Sequence, residues 1–178
     1  MIDLETLSTR RTAAIAQIGA VEFDPFSDQL GRTFRVNVAL ESCVLAGLHF
    51  QEQTFAWWAQ QRASAKISVF TGQRVDLTTA LTGLKDFVGG GGDSRVWADP
   101  SEFDHAVILN ACDAVGVEYP WPRRATRDAR TFKEEAWRRM GVVTAPPYNT
   151  VGTEHDALDD AVWQARVVQA VNAALRAR

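Results

Sequence analysis

The sequence predicts an α/β protein in which a mixed β-sheet is flanked by helices. Three segments with the residue pattern of strands come first, and helices alternating with one short strand follow them. The chain has 178 residues, of which 46% are hydrophobic, so it can bury a substantial core without disulfide bonds or a structural metal. We therefore expect one domain that spans residues 1–178.

The three opening segments are expected to pair as antiparallel strands. The first covers residues 1–6, where only two residues precede the first acidic side chain, so this strand either is short and frayed or begins upstream of this sequence. Residues 14–23 are rich in β-formers and end at an Asp-Pro turn signal. Residues 32–40 alternate in part between apolar and polar side chains, which predicts a half-exposed strand.

The rest of the chain is predicted to alternate between helices and one short strand. A helix over 101–115 would have Ser101 as its N-cap, and the last helix would run over 156–176. The glycine run at 89–93 lacks the Lys-Ser/Thr of a phosphate-binding loop and precedes a strand, so it is predicted to be a flexible connection. The other predicted elements are helices over 53–63 and 77–87 and a strand over 95–98.

Charge is distributed unevenly along the chain. The net charge is −3, which argues against a protein that coats nucleic acid through bulk positive charge. Residues 122–140 hold seven basic and three acidic side chains, a local balance of +4 that leaves −7 for the remainder. Such a basic segment beside an acidic pocket suits the cleavage of a polyanion, but a solvated arginine-rich helix face would give the same pattern.

Cysteine usage and hydropathy indicate a cytoplasmic protein without membrane association. Cys43 and Cys112 lie far apart in apolar runs, with no pairing of the zinc-binding type, so both are expected to be buried as small hydrophobic side chains. No stretch of the sequence reaches the roughly 20 apolar residues that a membrane-spanning helix needs. The chain opens with an acidic pair where a signal peptide would carry basic residues.

Acidic side chains stand in the first strand and at the start of a later helix. Asp3 and Glu5 alternate along the strand, so both project to the same face, where two anions repel each other unless cations hold them. An acidic pair near a terminus is often merely solvated, but the hydrophobic strand that follows places these acids in the sheet. Asp104 falls in the first turn of its helix, where it could be a capping aid or a ligand.

His155 and Asp160 lie at the start of the last helix. Five helical steps rotate a side chain by about 140°, so the two would point apart within one regular helix. They can converge only if His155 lies on the loop before the helix and Asp160 lies in its first turns, with Asp156 as the N-cap. Four carboxylates and one imidazole suit a two-metal phosphodiester hydrolase, because hard divalent cations prefer oxygen ligands and a neutral histidine can deprotonate water.

These motifs resemble those of the DEDDh 3′→5′ exonuclease superfamily. The segment 1–7 is similar to motif I, Glu102-Phe103-Asp104 to motif II, and the segment 155–161, with its His-x4-Asp spacing, to motif III. The segments 14–21, 54–61 and 127–131 resemble the phage-encoded and mycobacterial exoribonuclease-like branch. The resemblance covers nearly the whole chain and implies a ribonuclease H-like fold.

The resemblance also implies an activity and a role for each site residue. It implies a 3′→5′ exonuclease that releases nucleoside 5′-monophosphates from RNA or DNA with two Mg²⁺ or Mn²⁺ ions. Asp3 would bridge both metals, Asp160 and Glu5 would complete the first site, Asp104 would support the second, and His155 would deprotonate the nucleophilic water. Thr6 and Leu7 are where the family contacts the terminal nucleotide.

Several alternatives stay open on the sequence alone. The chain could be a catalytically silent nucleic-acid-binding module of the same fold, or a ribonuclease H-like endonuclease, although that class lacks the His-x4-Asp arrangement. Trp57 and Trp58 are expected to pack in the core, while one of them could instead stack on a base. The expected partners are nucleic acid 3′ ends, single-stranded or in an overhang, and a homodimer is possible. No residue identifies the sugar of the substrate.

Overall fold

A computed structural model describes residues 1–89, 94–141, 147 and 152–177 of the chain. The predicted glycine connection therefore lies for the most part outside the described residues. The strands are β1 (Ile2–Thr6), β2 (Ile15–Phe23), β3 (Leu30–Val38), β4 (Arg74–Val75), β5 (Val96–Ala98) and β6 (Thr126–Asp128). The helices are α1 (Leu40–Leu45), α2 (Glu52–Gln60), α3 (Ala63–Phe70), α4 (Leu77–Val88), α5 (Ser101–Val115), α6 (Ala129–Met140) and α7 (Ala157–Arg176).

The main sheet has the strand order β1-β2-β3-β4. The β1–β2 and β2–β3 pairs are antiparallel, which confirms the prediction for the opening of the chain, and β4 adds parallel to β3. Pairing of β1 starts at Ile2, opposite Ala20, so this strand is not frayed. The strand β4 was not predicted, because two residues are too few to show an alternating pattern.

A second, two-stranded sheet brings distant parts of the chain together. In it β5 and β6 pair in parallel, with Ala98 opposite Asp128. Residues 126–128 are polar and were not predicted as a strand, because this strand forms by pairing and not by burying an apolar face. The pairing places the start of α6 next to the start of α5.

The predicted helices form, with shifts at their ends. The helix predicted over 53–63 ends at Gln60, and a separate helix, α3, begins at Ala63. Ser101 is not the N-cap of α5: Pro100 holds that position, and the backbone N–H of Ser101 donates to Asp128 Oδ2 at 2.7 Å. The cap thus comes from a side chain distant in sequence, which local spacing cannot reveal.

Helices cover both faces of the main sheet. Leu4 and Ile18 face a core shared with α4 and α5, whereas the next positions along the strands face α7. The helix α7 packs directly on Gly19, where an added Cβ would lie 2.1 Å from the carbonyl carbon of Ala157. Only glycine allows this approach, so Gly19 fixes the start of α7 directly over the sheet.

This arrangement of a mixed sheet flanked by helices is the ribonuclease H-like fold. Cys43 and Cys112 are both free and buried, as predicted. Among the described residues, no helix is both long enough and apolar enough to span a bilayer.

Candidate functional site

Two carboxylates of β1 lie between this strand and the helix α7. Asp3 and Glu5 share the face of β1 that is turned toward α7, because alternate residues of a strand project the same way. Gln164 on α7 donates from Nε2 to Asp3 Oδ1 at 2.7 Å. Glu5 is buried, and Asp3 is half-buried. The amide of Gln164 therefore fixes the orientation of Asp3, a role that the sequence motifs did not indicate.

Asp104 reaches the same space from the first turn of α5. Its side chain is buried, and the backbone N–H of Leu4 on β1 donates to its carboxylate. This hydrogen bond ties the helix to the strand between the two acidic residues of β1. The prediction that Asp104 lies in the first turn of its helix is confirmed.

His155 and Asp160 converge in the way that their spacing required. His155 precedes α7 and adopts the left-handed conformation, with φ at 64°, whereas Asp160 lies in the first turn of the helix. The backbone N–H of His155 donates to Asp160 Oδ2 at 3.2 Å. A left-handed non-glycine residue is sparsely populated and persists only where its surroundings hold it in place. Here the turn brings the imidazole back over the helix start.

Asp156 caps α7 and confirms the predicted N-cap. Its Oδ1 accepts hydrogen bonds from the backbone N–H groups of Leu158 at 3.0 Å and Asp159 at 3.1 Å. Its Oδ2 accepts from Arg35 Nη1 at 2.9 Å and from the hydroxyl of Ser68. The cap therefore joins the start of α7 to β3 and α3.

A glutamine in the sheet also accepts a hydrogen bond from the start of α7. Gln17 on β2 is fully buried, and its Oε1 accepts from the backbone N–H of Ala157 at 2.7 Å. Its Nε2 donates to Asn37 Oδ1 at 2.8 Å. Sequence reasoning did not identify Gln17, Arg35 or Ser68 as supports of the site. The one available signal was a lone polar residue inside the apolar run of β2.

Three of the five predicted side chains come within ligand distance of one another, and the charges of Asp3 and Asp104 act on the same group of acids. One potential ligand atom from each of Glu5, His155 and Asp160 lies within 4.8 Å of the others. Burial raises the pKa of Glu5 well above its usual range, and the nearby Asp160 carboxylate raises it further. The pKa of Asp3 is likewise raised well above its usual range, by burial first and then by the charges of Asp104 and Glu5. Four carboxyl groups thus oppose each other's ionisation at close range.

Two of these acids titrate near neutrality in the metal-free protein. Burial raises the pKa of Asp104 to about 7 and that of Asp160 to about 7. Burial lowers the pKa of His155, and the negative charge of Glu154 offsets part of this shift. Near neutral pH the imidazole is therefore uncharged and able to accept a proton.

The donor set fits divalent cations. Asp160 Oδ1 is buried and has no N–H or hydroxyl donor in the described part of the chain, and the Asp160 carboxyl lies within hydrogen-bonding reach of the Glu5 carboxyl. A buried carboxylate oxygen without a donor costs free energy that a metal ion would offset. All the acidic groups supply oxygen, the ligand that Mg²⁺ and Mn²⁺ prefer. The residues present therefore suit a hard divalent metal centre.

A cavity of about 480 Å³ opens beside Glu5. Thr6 lines it, as do the ring of Trp57 from α2 and the ring of Phe103 from α5. The other residues around it include polar side chains, although most of the exposed surface is apolar: Leu4, Ser8, Thr9, Gln51, Gln53, Thr54 and Pro100. The volume and the mixed lining are those of a small-molecule or nucleotide site.

The positions of Leu7 and Trp57 differ from those expected for a nucleotide contact and for a core residue. Leu7 does not line it, because its side chain is 0% exposed and packs in the core. Trp57 is not a core residue: it is 41% exposed and lies edge-on to His155, with ring centroids 4.8 Å apart. Trp58 is buried as predicted, and its indole N–H donates to the carbonyl of Thr6 at 3.0 Å. The sequence could not assign the two tryptophans, because neighbouring helical positions face different directions.

The ribonuclease H-like fold and the converging carboxylates are typical of nucleases. Residues 1–172 match the family of the 3'-5' exoribonuclease Rv2179c-like domain. The chain belongs to this family, consistent with the resemblance of its motifs to the DEDDh superfamily. No curated protein matches the chain.

Proposed function

We propose that this protein is a metal-dependent 3′→5′ exoribonuclease that releases nucleoside 5′-monophosphates. The observation that carries the proposal is the convergence of Glu5, His155 and Asp160 within 4.8 Å, with Asp3 and Asp104 beside them, in a chain of an exoribonuclease family. An imidazole beside clustered acids can serve either as a metal ligand or as a base. We assign His155 as the base, because four carboxylates already supply the ligands that two ions need.

Asp3, Glu5, Asp104 and Asp160 would hold two Mg²⁺ or Mn²⁺ ions. When bound, such ions stabilise the charge that develops on the attacking and leaving oxygens of a phosphodiester. The protein's own contribution is to hold the acids in place. Gln164 orients Asp3, the Leu4 N–H orients Asp104, and the His155 N–H orients Asp160.

His155 would accept the proton of the attacking water. Its lowered pKa keeps the ring neutral, and the edge-on contact with Trp57 limits its rotation. The proton moves from the water to a ring nitrogen of His155 and then to solvent, which the half-buried ring can reach. Because His155 has left-handed backbone geometry before α7 begins, the helix does not dictate where its ring points.

The cavity beside Glu5 would receive the 3′-terminal nucleotide. Trp57 and Phe103 offer aromatic surfaces for a base, and Thr6, which directly follows Glu5, lines the same cavity. The side chains of Gln53 and Thr54 line the same space and could hydrogen-bond the sugar or the base edge. A pocket with room for one terminal nucleotide suits removal from an end and not cleavage within a strand.

The test uses RNA labelled at its 5′ end, incubated with Mg²⁺ or Mn²⁺ and the wild-type protein. Stepwise shortening from the 3′ end is expected, and EDTA should abolish it. Asp3→Asn keeps the side-chain shape but removes a ligand charge, so it should lose nearly all activity while staying folded. Asp86→Asn, an exposed acid on α4, is the matched control and should keep wild-type rates.

The same assay separates the competing functions. A silent binding module would retain RNA without shortening it, and full activity of Asp3→Asn would contradict the proposed metal site. A ribonuclease H-like endonuclease would cut a circular RNA, which has no 3′ end. Labelled DNA of the same sequence, single-stranded or with a 3′ overhang, measures the preference between sugars.

A further inference from the structure

The helix α6 carries an exposed stripe of two basic side chains and one tryptophan. Arg130, Lys133 and Trp137 are spaced i, i+3, i+7, which places them on one side of the helix, and we call them the α6 stripe. Glu134 borders the stripe. The side chains of Arg130 and Lys133 are 52% and 33% exposed, and Trp137 is 60% exposed. A tryptophan so exposed contributes little to the core.

A neighbouring side of α6 already packs in the core. Ala129 and Phe132 pack with Ala161 and Ala165 of α7, and Ala136 is buried. The packing of the helix is therefore complete without Trp137. The stripe is an amphipathic surface of positive charge and one aromatic ring, the combination that binds single-stranded nucleic acid.

The stripe begins next to the cavity. Asp99 pairs with Arg130, whose Nε lies 3.4 Å from Oδ1, and with Lys133 through Oδ2. Two cations around one carboxylate leave an excess charge of about +1, which Glu134 at the border of the stripe reduces. Asp99 directly precedes Pro100, which lines the cavity beside Glu5. From Arg130 to Trp137 the stripe is about 10 Å long, since a helix rises about 1.5 Å per residue.

We propose that the α6 stripe binds the substrate strand upstream of the 3′-terminal nucleotide. Arg130 and Lys133 would contact its phosphates, and Trp137 would stack on a base. The inference rests on the proposed function, because it extends the path of an RNA whose 3′ end lies in the cavity. It assigns part of the basic segment at 122–140 to substrate binding, whereas a purely solvated helix face would leave affinity unchanged.

The proposal predicts an effect that depends on RNA length. With an RNA of about 12 nucleotides, Trp137→Ala should raise KM by about 5- to 150-fold, the loss expected for one stacked base. Arg130→Gln combined with Lys133→Gln should raise KM and make it less dependent on salt, because each lost phosphate contact lowers the salt slope by about 0.7. A dinucleotide does not reach the stripe, so its KM should not respond. Trp137→Phe should keep most of the affinity, since stacking persists.

Arg139→Gln is the matched control. Arg139 carries the same charge on the same helix, lies about 180° around from Arg130, and pairs with Glu135 at 2.8 Å. It should bind both RNAs as the wild type does. Circular dichroism of each variant checks that α6 still folds.

Anisotropy of labelled RNA in EDTA measures binding without turnover. If the wild type does not cleave but binds long RNA through the stripe, the proposed function fails and this inference stands. If the wild type trims RNA while the stripe variants match Arg139→Gln in affinity and KM, the inference is wrong and the exoribonuclease proposal stands. A stripe that serves another protein would give this second result.

Discussion

The substitution Asp104→Asn should stabilise the metal-free protein at alkaline pH, although it removes a proposed metal ligand. Asp104 is buried against β1, and burial raises its pKa to about 7. Asparagine keeps the shape and can still accept the hydrogen bond from the Leu4 N–H, but it cannot ionise. The variant therefore removes the cost of a buried charge and leaves the packing intact.

The magnitude follows from the two pKa values of Asp104. In the unfolded chain an aspartate has a pKa of about 3.9. Between that value and about 7, the folded protein binds a proton that the unfolded chain has released, so stability falls as pH rises. The slope is about 1.4 kcal/mol per pH unit, which gives a loss of about 3 kcal/mol from about pH 5 to about pH 7.

Thermal unfolding in EDTA at about pH 5 and about pH 8 measures this difference. For a domain of this size, about 3 kcal/mol corresponds to roughly 6 to 12 °C in Tm. Relative to the wild type, Asp104→Asn should gain that much on going from the lower to the higher pH. Added Mg²⁺ should then stabilise the wild type more than the variant, because only the wild type keeps all four carboxylates.

One outcome would refute this reasoning. If Asp104→Asn changed Tm by the same amount at both pH values, the Asp104 carboxyl would not carry the buried charge. A variant that responded to Mg²⁺ as strongly as the wild type would also remove Asp104 from the proposed metal ligands.

Two further substitutions test the base and the packing beneath it. His155→Ala should lower kcat by about 10²- to 10⁴-fold with Mg²⁺ saturating. It should also remove a pH step that, in the wild type, lies below the ordinary histidine value of about 6.5, because burial lowers the pKa of His155. Gly19→Ala should lower stability by about 1 to 3 kcal/mol and activity by more than that loss explains. The reason is that its Cβ would lie 2.1 Å from Ala157 and displace the start of α7, and Tm and kcat measured together show whether it does.

The sequence predicted the parts of this protein that local patterns determine. The three opening strands, the extent of α5 and the cap of α7 by Asp156 follow from periodicity and capping chemistry. The relation of His155 to Asp160 could also be predicted, because helical geometry permits only one way for them to meet. These features require no knowledge of what lies across the sheet.

The parts that the sequence did not predict depend on contacts between distant residues. The strand β6 exists because β5 pairs with it, and Asp128 rather than Ser101 caps α5. The burial of Leu7 and the exposure of Trp57 are set by where α2 packs. No spacing within the chain encodes these relations, so a single sequence leaves them undetermined.

The start of α7 is where the demands of stability and chemistry conflict. Packing on Gly19 brings Asp160 against Glu5, and in the metal-free protein their repulsion opposes that approach. The ion pair from Arg35 on β3 to Asp156, with Nη1 2.9 Å from Oδ2, holds the same helix end. Arg35 is half exposed, so the pair alone is worth little in water, but its effect should depend on the repulsion it opposes.

A double-mutant cycle measures this coupling between Arg35 and Asp104. In EDTA at about pH 8, Arg35→Met should destabilise the wild type more than it destabilises Asp104→Asn, by about 0.5 to 1 kcal/mol. Asp104→Asn removes one charge of the acidic cluster, so the remaining acids repel the start of α7 less strongly. Mg²⁺ should abolish the difference, because bound cations offset the repulsion in both backgrounds. Strictly additive effects in EDTA would mean that the ion pair between Arg35 and Asp156 stabilises α7 independently of the acidic cluster.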